Sequence, residues 1–162
     1  MTNLSPSPLK EITIIRFDLD THIYRPLTQV FAFVSTPEND FQWQYGTLAS
    51  TQISRGAVGL GTNFRVVGNL LGRRIETLYE VTVFEPNKRY GFKSVSGPVD
   101  SYVLYTFEMS QGGTKVTLST ETNPKELSKP HSAILVKQFK KQHKENLAML
   151  KSILEAQQIV KT

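Results

Sequence analysis

The chain contains no cysteine, which removes disulfides, thiolate nucleophiles and thiolate metal sites and suits a reducing compartment, with cytoplasm as the expected location. No apolar run approaches the ~20 residues that cross a bilayer. MTNLSPSPLK lacks the basic start and apolar stretch of a secretory signal, so the sequon at Asn3 carries no weight. Histidine is scarce: His22, His131 and His143 show no paired spacing and no carboxylate pattern, so no metal site is expected. No serine lies in a G-x-S-x-G elbow. Gly56, Gly59 and Gly61 follow the order G-x-x-G-x-G, with no Lys-Ser/Thr after them and strands on both sides. That is a turn and not a phosphate loop. No catalytic residue is identified and no cofactor is implied.

What is present fits one domain: 162 residues bury roughly 70% of the unfolded surface in a single core. Residues 1–10, with two prolines and little to bury, are expected to be a flexible arm, and residues 11–160 the domain. The net charge of +5 is concentrated after Ser128, where seven lysines face only Glu145 and Glu155. This lysine face could make weak contact with an anionic membrane or an acidic protein, although a solvated face is the plainer reading. Nucleic-acid binding is not expected, because it wants aromatics interleaved with exposed basic residues and here the aromatics point inward.

Residues 12–19 are β-branched and aromatic, the mark of a first strand. Pro26 opens a short helix ending before Pro37, and PENDFQWQYG reads as a second one stopped by Gly46. From Thr47 the period becomes two. Strands are expected over 47–55, 63–70, 74–84, the stretch around Tyr90–Ser94, 99–109 and the stretch after Gly113. Glutamates mark wet faces, which turns Thr77, Tyr79 and Val81 inward, then Tyr90, Phe92 and Ser94, then Ser101, Val103, Tyr105, Phe107 and Met109, then Thr120 and Thr122. A long helix is expected over 132–159. At 100° per residue, Leu135, Asn146, Leu147, Leu150 and Leu154 lie within about 80° of Phe139, with His143 beside them. Lys137, Lys140, Lys144 and Lys151 lie on the far side.

A curled antiparallel sheet closed by one helix is expected, with an interior either solid or hollow. Serines and threonines at inward positions need partners if buried dry, and water or a polar-headed ligand would supply them. VFAFVSTPENDFQW (30–43), GLGTNFRV (59–66), GRRIETLYEVTVFEPNKRYGFKSVSG (72–97) and YTFEMSQGGTKVTLSTE (105–121) resemble the START-like, or SRPBCC, superfamily of polyketide cyclase/dehydrase and lipid-transport proteins. Trp43, Glu85-Pro86 and Gly97 match structural marks of that family. The resemblance implies an α+β helix-grip fold, a curved seven-stranded antiparallel sheet around the C-terminal helix, with a cavity between them. A small hydrophobic molecule such as a lipid, quinone or polyketide is then the expected partner. The candidate ligand-binding residues are Trp43, Phe64, Thr77, Tyr79, Phe92 and Val103, together with Tyr105, Phe107, Thr120, Phe139, His143 and Leu147. A carrier or sensor is the first reading. The alternatives are a cyclase or aromatase using acid/base chemistry without metal, and a protein-interaction module using the lysine face.

Overall fold

The computed structural model describes residues 14–70, 72–123 and 132–157, with the side chains at 70, 132, 133 and 135 left out. The arm over 1–10, the tip at Leu71, the passage between Pro124 and Pro130, and His131 lie outside the described residues. The strands are β1 (Ile15–Ile23), β2 (Thr47–Gln52), β3 (Asn63–Leu70), β4 (Arg73–Glu85), β5 (Arg89–Ser96), β6 (Asp100–Ser110) and β7 (Gly113–Asn123). Two helical segments, α1 (Leu27–Val34) and the 3-10 turn η1 (Pro37–Gln42), separate β1 from β2, and α2 (Ser132–Ala156) follows β7.

The strands form one antiparallel sheet in the order β1-β7-β6-β5-β4-β3-β2. The first two strands in the chain are therefore its two edges. The segment between them must cross from one edge to the other, and α1 and η1 occupy that crossing. Opposite β5, the register of β4 slips at Leu78/Tyr79 and again at Val81/Val83. The extra residue lies in β5 at the first slip and in β4 at the second, and such irregularities bend the bulged strand and increase its twist.

The short elements are fixed by their ends. Pro26 stands at the N-cap of α1, where its missing N–H is no loss. Glu38 Oε1 accepts from Gln52 N (3.1 Å) and Asn39 Nδ2 donates to Phe33 O (3.1 Å), which pins η1 against β2 and α1. At the crossing of β2 and β3, a Cβ on Gly68 would stand 2.6 Å from Gly46 O, so no larger residue fits.

One half of the interior is solid. Val30, Phe31 and Val34 of α1 pack with Ile23, Phe107, Val116 and Leu118 of the sheet and with Leu147, Leu150 and Leu154 of α2. Phe31 meets Phe84 and Phe107 edge-on at 5.6 and 5.2 Å. At about 1.5–3 kcal/mol for each large apolar side chain buried, this end supplies most of the hold on the helix.

Two assignments are corrected, one inward and one outward. Met109 is 79% exposed, one residue from the end of β6 at the turn to β7. Lys151 is not on the solvated face: its Nζ donates to His22 O (2.5 Å), pairs with Glu155 (2.9 Å) and lies 4.8 Å over the Tyr24 ring. Its long stem lets a residue rooted on the far side reach back to the sheet edge.

Candidate ligand cavity

Under the N-terminal half of α2 the sheet does not fill the space, and a cavity of about 180 Å³ remains. Its floor is the central strands. Val103 of β6 pairs with Phe92 of β5 and Thr120 of β7, and all three line the cavity. Phe64, Tyr79 and Phe92 form one wall, each ring about 5 Å from the other two, with Phe64 and Tyr79 stacked at 5.2 Å. Thr77 and Tyr105 also line it, and Phe139 and His143 supply the helix side. Tyr45, 75% exposed, also lines it and stands where it meets solvent.

Trp43, Phe107 and Leu147 do not line it. They belong to the packed core, with Trp43 edge-on against the back of Tyr105 at 5.9 Å. Lining residues that the sequence reading did not single out include Asp40, Gln44, Tyr45, Ile75, Val99 and Gln142.

Polar groups are gathered where η1 meets α2. Asn146 Nδ2 donates to Gln44 Oε1 (2.9 Å), and Gln44 Nε2 donates to the Tyr105 hydroxyl (3.1 Å). Asn146 Oδ1 accepts from Tyr45 N (2.9 Å), and Gln142 Nε2 donates to Tyr45 O (2.9 Å). The helix is thus tied to the cavity mouth by hydrogen bonds at one end and by leucines at the other. An asparagine on the apolar stripe of α2 has its explanation here: it is buried and its amide is paired at both ends.

Asp40 lies on the wall formed by η1. Its Oδ2 accepts from Ser50 Oγ (3.3 Å), and the surface it leaves open faces the cavity. Burial holds its carboxyl well above the usual carboxylate range; the Ser50 bond opposes this and Glu38 adds to it. Tyr79 is pushed up to about 12 by burial, with the Asp40 charge adding. Tyr105 is raised by burial as well, against its bond from Gln44. Both phenols keep their protons at neutral pH.

His143 packs against Phe17 with ring centroids 5.4 Å apart. Burial lowers it to about 4, so it is neutral at pH 7. Its Nδ1 is buried with no hydrogen-bond partner among the described residues. His22, by contrast, sits within β1 with its Nε2 2.6 Å from Ser110 O, a tie between β1 and the β6–β7 turn. Among the described residues no group of histidines and acids is placed to hold a metal ion, and no helix is long and apolar enough to cross a membrane.

No curated protein matches the chain by sequence. The family described as polyketide cyclase/dehydrase and lipid transport matches residues 15–155. Among solved structures, Ara h 8.0201 is 13% identical with a TM-score of 0.69, covering 90% of this chain and 100% of that one. TTHA0849 from Thermus thermophilus is 20% identical at 0.68, covering 86% and 94%. The di-domain ARO/CYC StfQ from the steffimycin biosynthetic pathway is 12% identical at 0.71, and the match spans 88% of this chain and 51% of StfQ. At these identities the likeness is one of fold. Seven antiparallel strands gripping a long C-terminal helix, with a family match over nearly the whole chain, make this protein a member of the polyketide cyclase/dehydrase and lipid transport family of the SRPBCC superfamily.

Proposed function

We propose that the protein binds a small hydrophobic molecule in the cavity between the sheet and α2, as a carrier or sensor. The observation that carries this reading is the cavity itself. Protein interiors are normally filled to crystal density, yet here about 180 Å³ stays open beneath aromatic walls while the other half of the interior is packed. A ligand gains affinity from the apolar area it buries, about 25 cal/mol per Å² before the losses of association. The phenols, Asp40 and His143 orient its polar end.

Val103→Trp places an indole on the cavity floor. Native mass spectrometry of the wild-type protein from its own cells is expected to show a co-purifying small molecule, and the variant, folded by circular dichroism, to lack it. A folded Val103→Trp variant that still carries the molecule places binding elsewhere.

One observation favours a catalytic variant of the same reading. Tyr79 and Tyr105 stay protonated, whereas His143 is neutral and is the one imidazole among the described lining residues, so it is the side chain there with a ring nitrogen to take up a proton. In a cyclase, His143→Ala would lose turnover of the bound molecule by about a hundredfold or more while binding stays within a few-fold. Equal turnover in both proteins removes His143 from any chemistry.

A further inference from the structure

The charge character of the cavity is one-sided. Among its described lining residues there is no lysine and no arginine, and the one carboxyl is Asp40. Every basic side chain on the outer part of α2 near it, Lys137, Lys140, Lys141 and Lys144, points to solvent or stands at the surface. An anionic headgroup entering this space would meet the Asp40 carboxyl and, among the described lining residues, no compensating cation. A cation would meet a carboxyl group together with the aromatic cluster of Phe64, Tyr79 and Phe92, and carboxylates and aromatic rings both attract ammonium groups.

The bond from Ser50 ties Asp40 to β2, as Glu38 is tied to it, but that bond does not call for a charged side chain. Among the described residues the one side-chain hydrogen bond to Asp40 comes from Ser50, at 3.3 Å, and no cation pairs with it. Its neighbours on η1 are engaged in holding the turn, Glu38 to β2 and Asn39 to α1. A buried carboxyl without a cation is costly to the fold, and a shorter or neutral side chain would fill the same turn.

We propose, building on the container reading above, that the ligand carries a basic nitrogen, and that Asp40 is its anchor, so that the cavity selects hydrophobic amines over carboxylate- or phosphate-headed lipids. The ammonium would sit between the Asp40 carboxylate and the aromatic wall, and the apolar body would lie over Val103 toward Phe139. The groups facing Asp40 are Glu38 on its own turn, Ser50 of β2, Tyr79 of β4, Tyr90 of β5 and Tyr105 of β6; His143 of α2 shares the cavity lining. All but Glu38 are uncharged at neutral pH or held so by burial. Because burial holds the Asp40 carboxyl toward its protonated form, an arriving ammonium stabilises the carboxylate, and amine affinity rises with pH across the acidic range.

A cavity of this size takes one or two aromatic rings, since about 150 Å³ accepts benzene. Three probes of the same shape separate the terms: 2-naphthylmethylamine, 2-naphthylmethanol and 2-naphthoate, titrated calorimetrically into wild type, Asp40→Asn and Val103→Trp. The amine is expected to bind about tenfold or more tighter than the alcohol, and the carboxylate weakest. Asparagine keeps the shape and an oxygen for Ser50, so Asp40→Asn is expected to bring amine and alcohol to similar affinity. In wild type, needing no variant, the amine's advantage should shrink as pH falls from 7 toward 5. Naphthoate binding as tightly as the amine, or an amine preference that survives Asp40→Asn, overturns the proposal. If the alcohol binds wild type, is lost in Val103→Trp and no amine preference exists, the container reading stands and the amine anchor falls. If none of the three binds at millimolar concentration, both fall.

Discussion

His143 and Asp40 carry opposite signs in the acid range. Burial lowers His143 to about 4 against about 6.5 for an unfolded histidine. Between those values the unfolded chain binds a proton that the folded one refuses, so stability present above about pH 6.5 is lost as pH falls toward 4, by up to about 3 kcal/mol. For Asp40, raised on folding, the folded state holds the extra proton, and stability is lost as pH rises through its window. Urea unfolding at pH 7 and pH 4.5 is expected to show a smaller acid loss in His143→Gln than in wild type, by about 2 kcal/mol. An unchanged difference between the two pH values would mean that the imidazole is solvated. Of the candidate site, the strand residues were legible, because the two-residue alternation fixes which side chains face the helix. Asp40 was not. It lies in a six-residue 3-10 turn, too short for any periodicity to distinguish its inner face, and a carboxylate in PENDFQ reads as surface.

Among the elements, the strands of the sheet follow their hydrophobic alternation almost residue for residue, since one face is wet and one is covered. The limits of β1 moved later in the chain, to Ile15–Ile23, because its ends are set by pairing with β7 from Ile15↔Thr122 to Ile23↔Thr114, and local propensity cannot see a partner that distant. Angular position on α2 misjudged Lys151 for a related reason: a helical wheel marks where a side chain starts and not how far it reaches. The same wheel set Asn146 among leucines without revealing its partners. Asn146→Ala leaves Tyr45 N–H and Gln44 Oε1 without their bonds, and is expected to cost about 2 kcal/mol or more in urea unfolding. It should also accelerate amide exchange at Tyr45. A change below about 0.5 kcal/mol would show that water replaces both bonds and that the mouth is looser than the hydrogen bonds imply.

For the molecule as a whole, the division into a packed end and an open end follows from where α2 places its leucines and where it places Phe139, Gln142 and His143. Neither half is visible in composition, and only the three-dimensional register of helix on sheet separates them. The sheet order has a further consequence in time. β1 is made before any other strand described here, yet it pairs with β7, so roughly a hundred residues must be synthesised before its partner exists, about 5–20 s at the usual pace of translation. During that interval a strand with one apolar face has no sheet to join, while β2 to β6 can pair with neighbours as they emerge. Nascent chains arrested after Gly112 are expected to remain open to protease, and chains extended through Gln157 to resist it. Early resistance would show that β1 docks provisionally on another edge. The strand order that encloses the cavity thus delays closure of the sheet until nearly all of the described chain has been made, and exposes β1 to chaperones or to misassociation for that time.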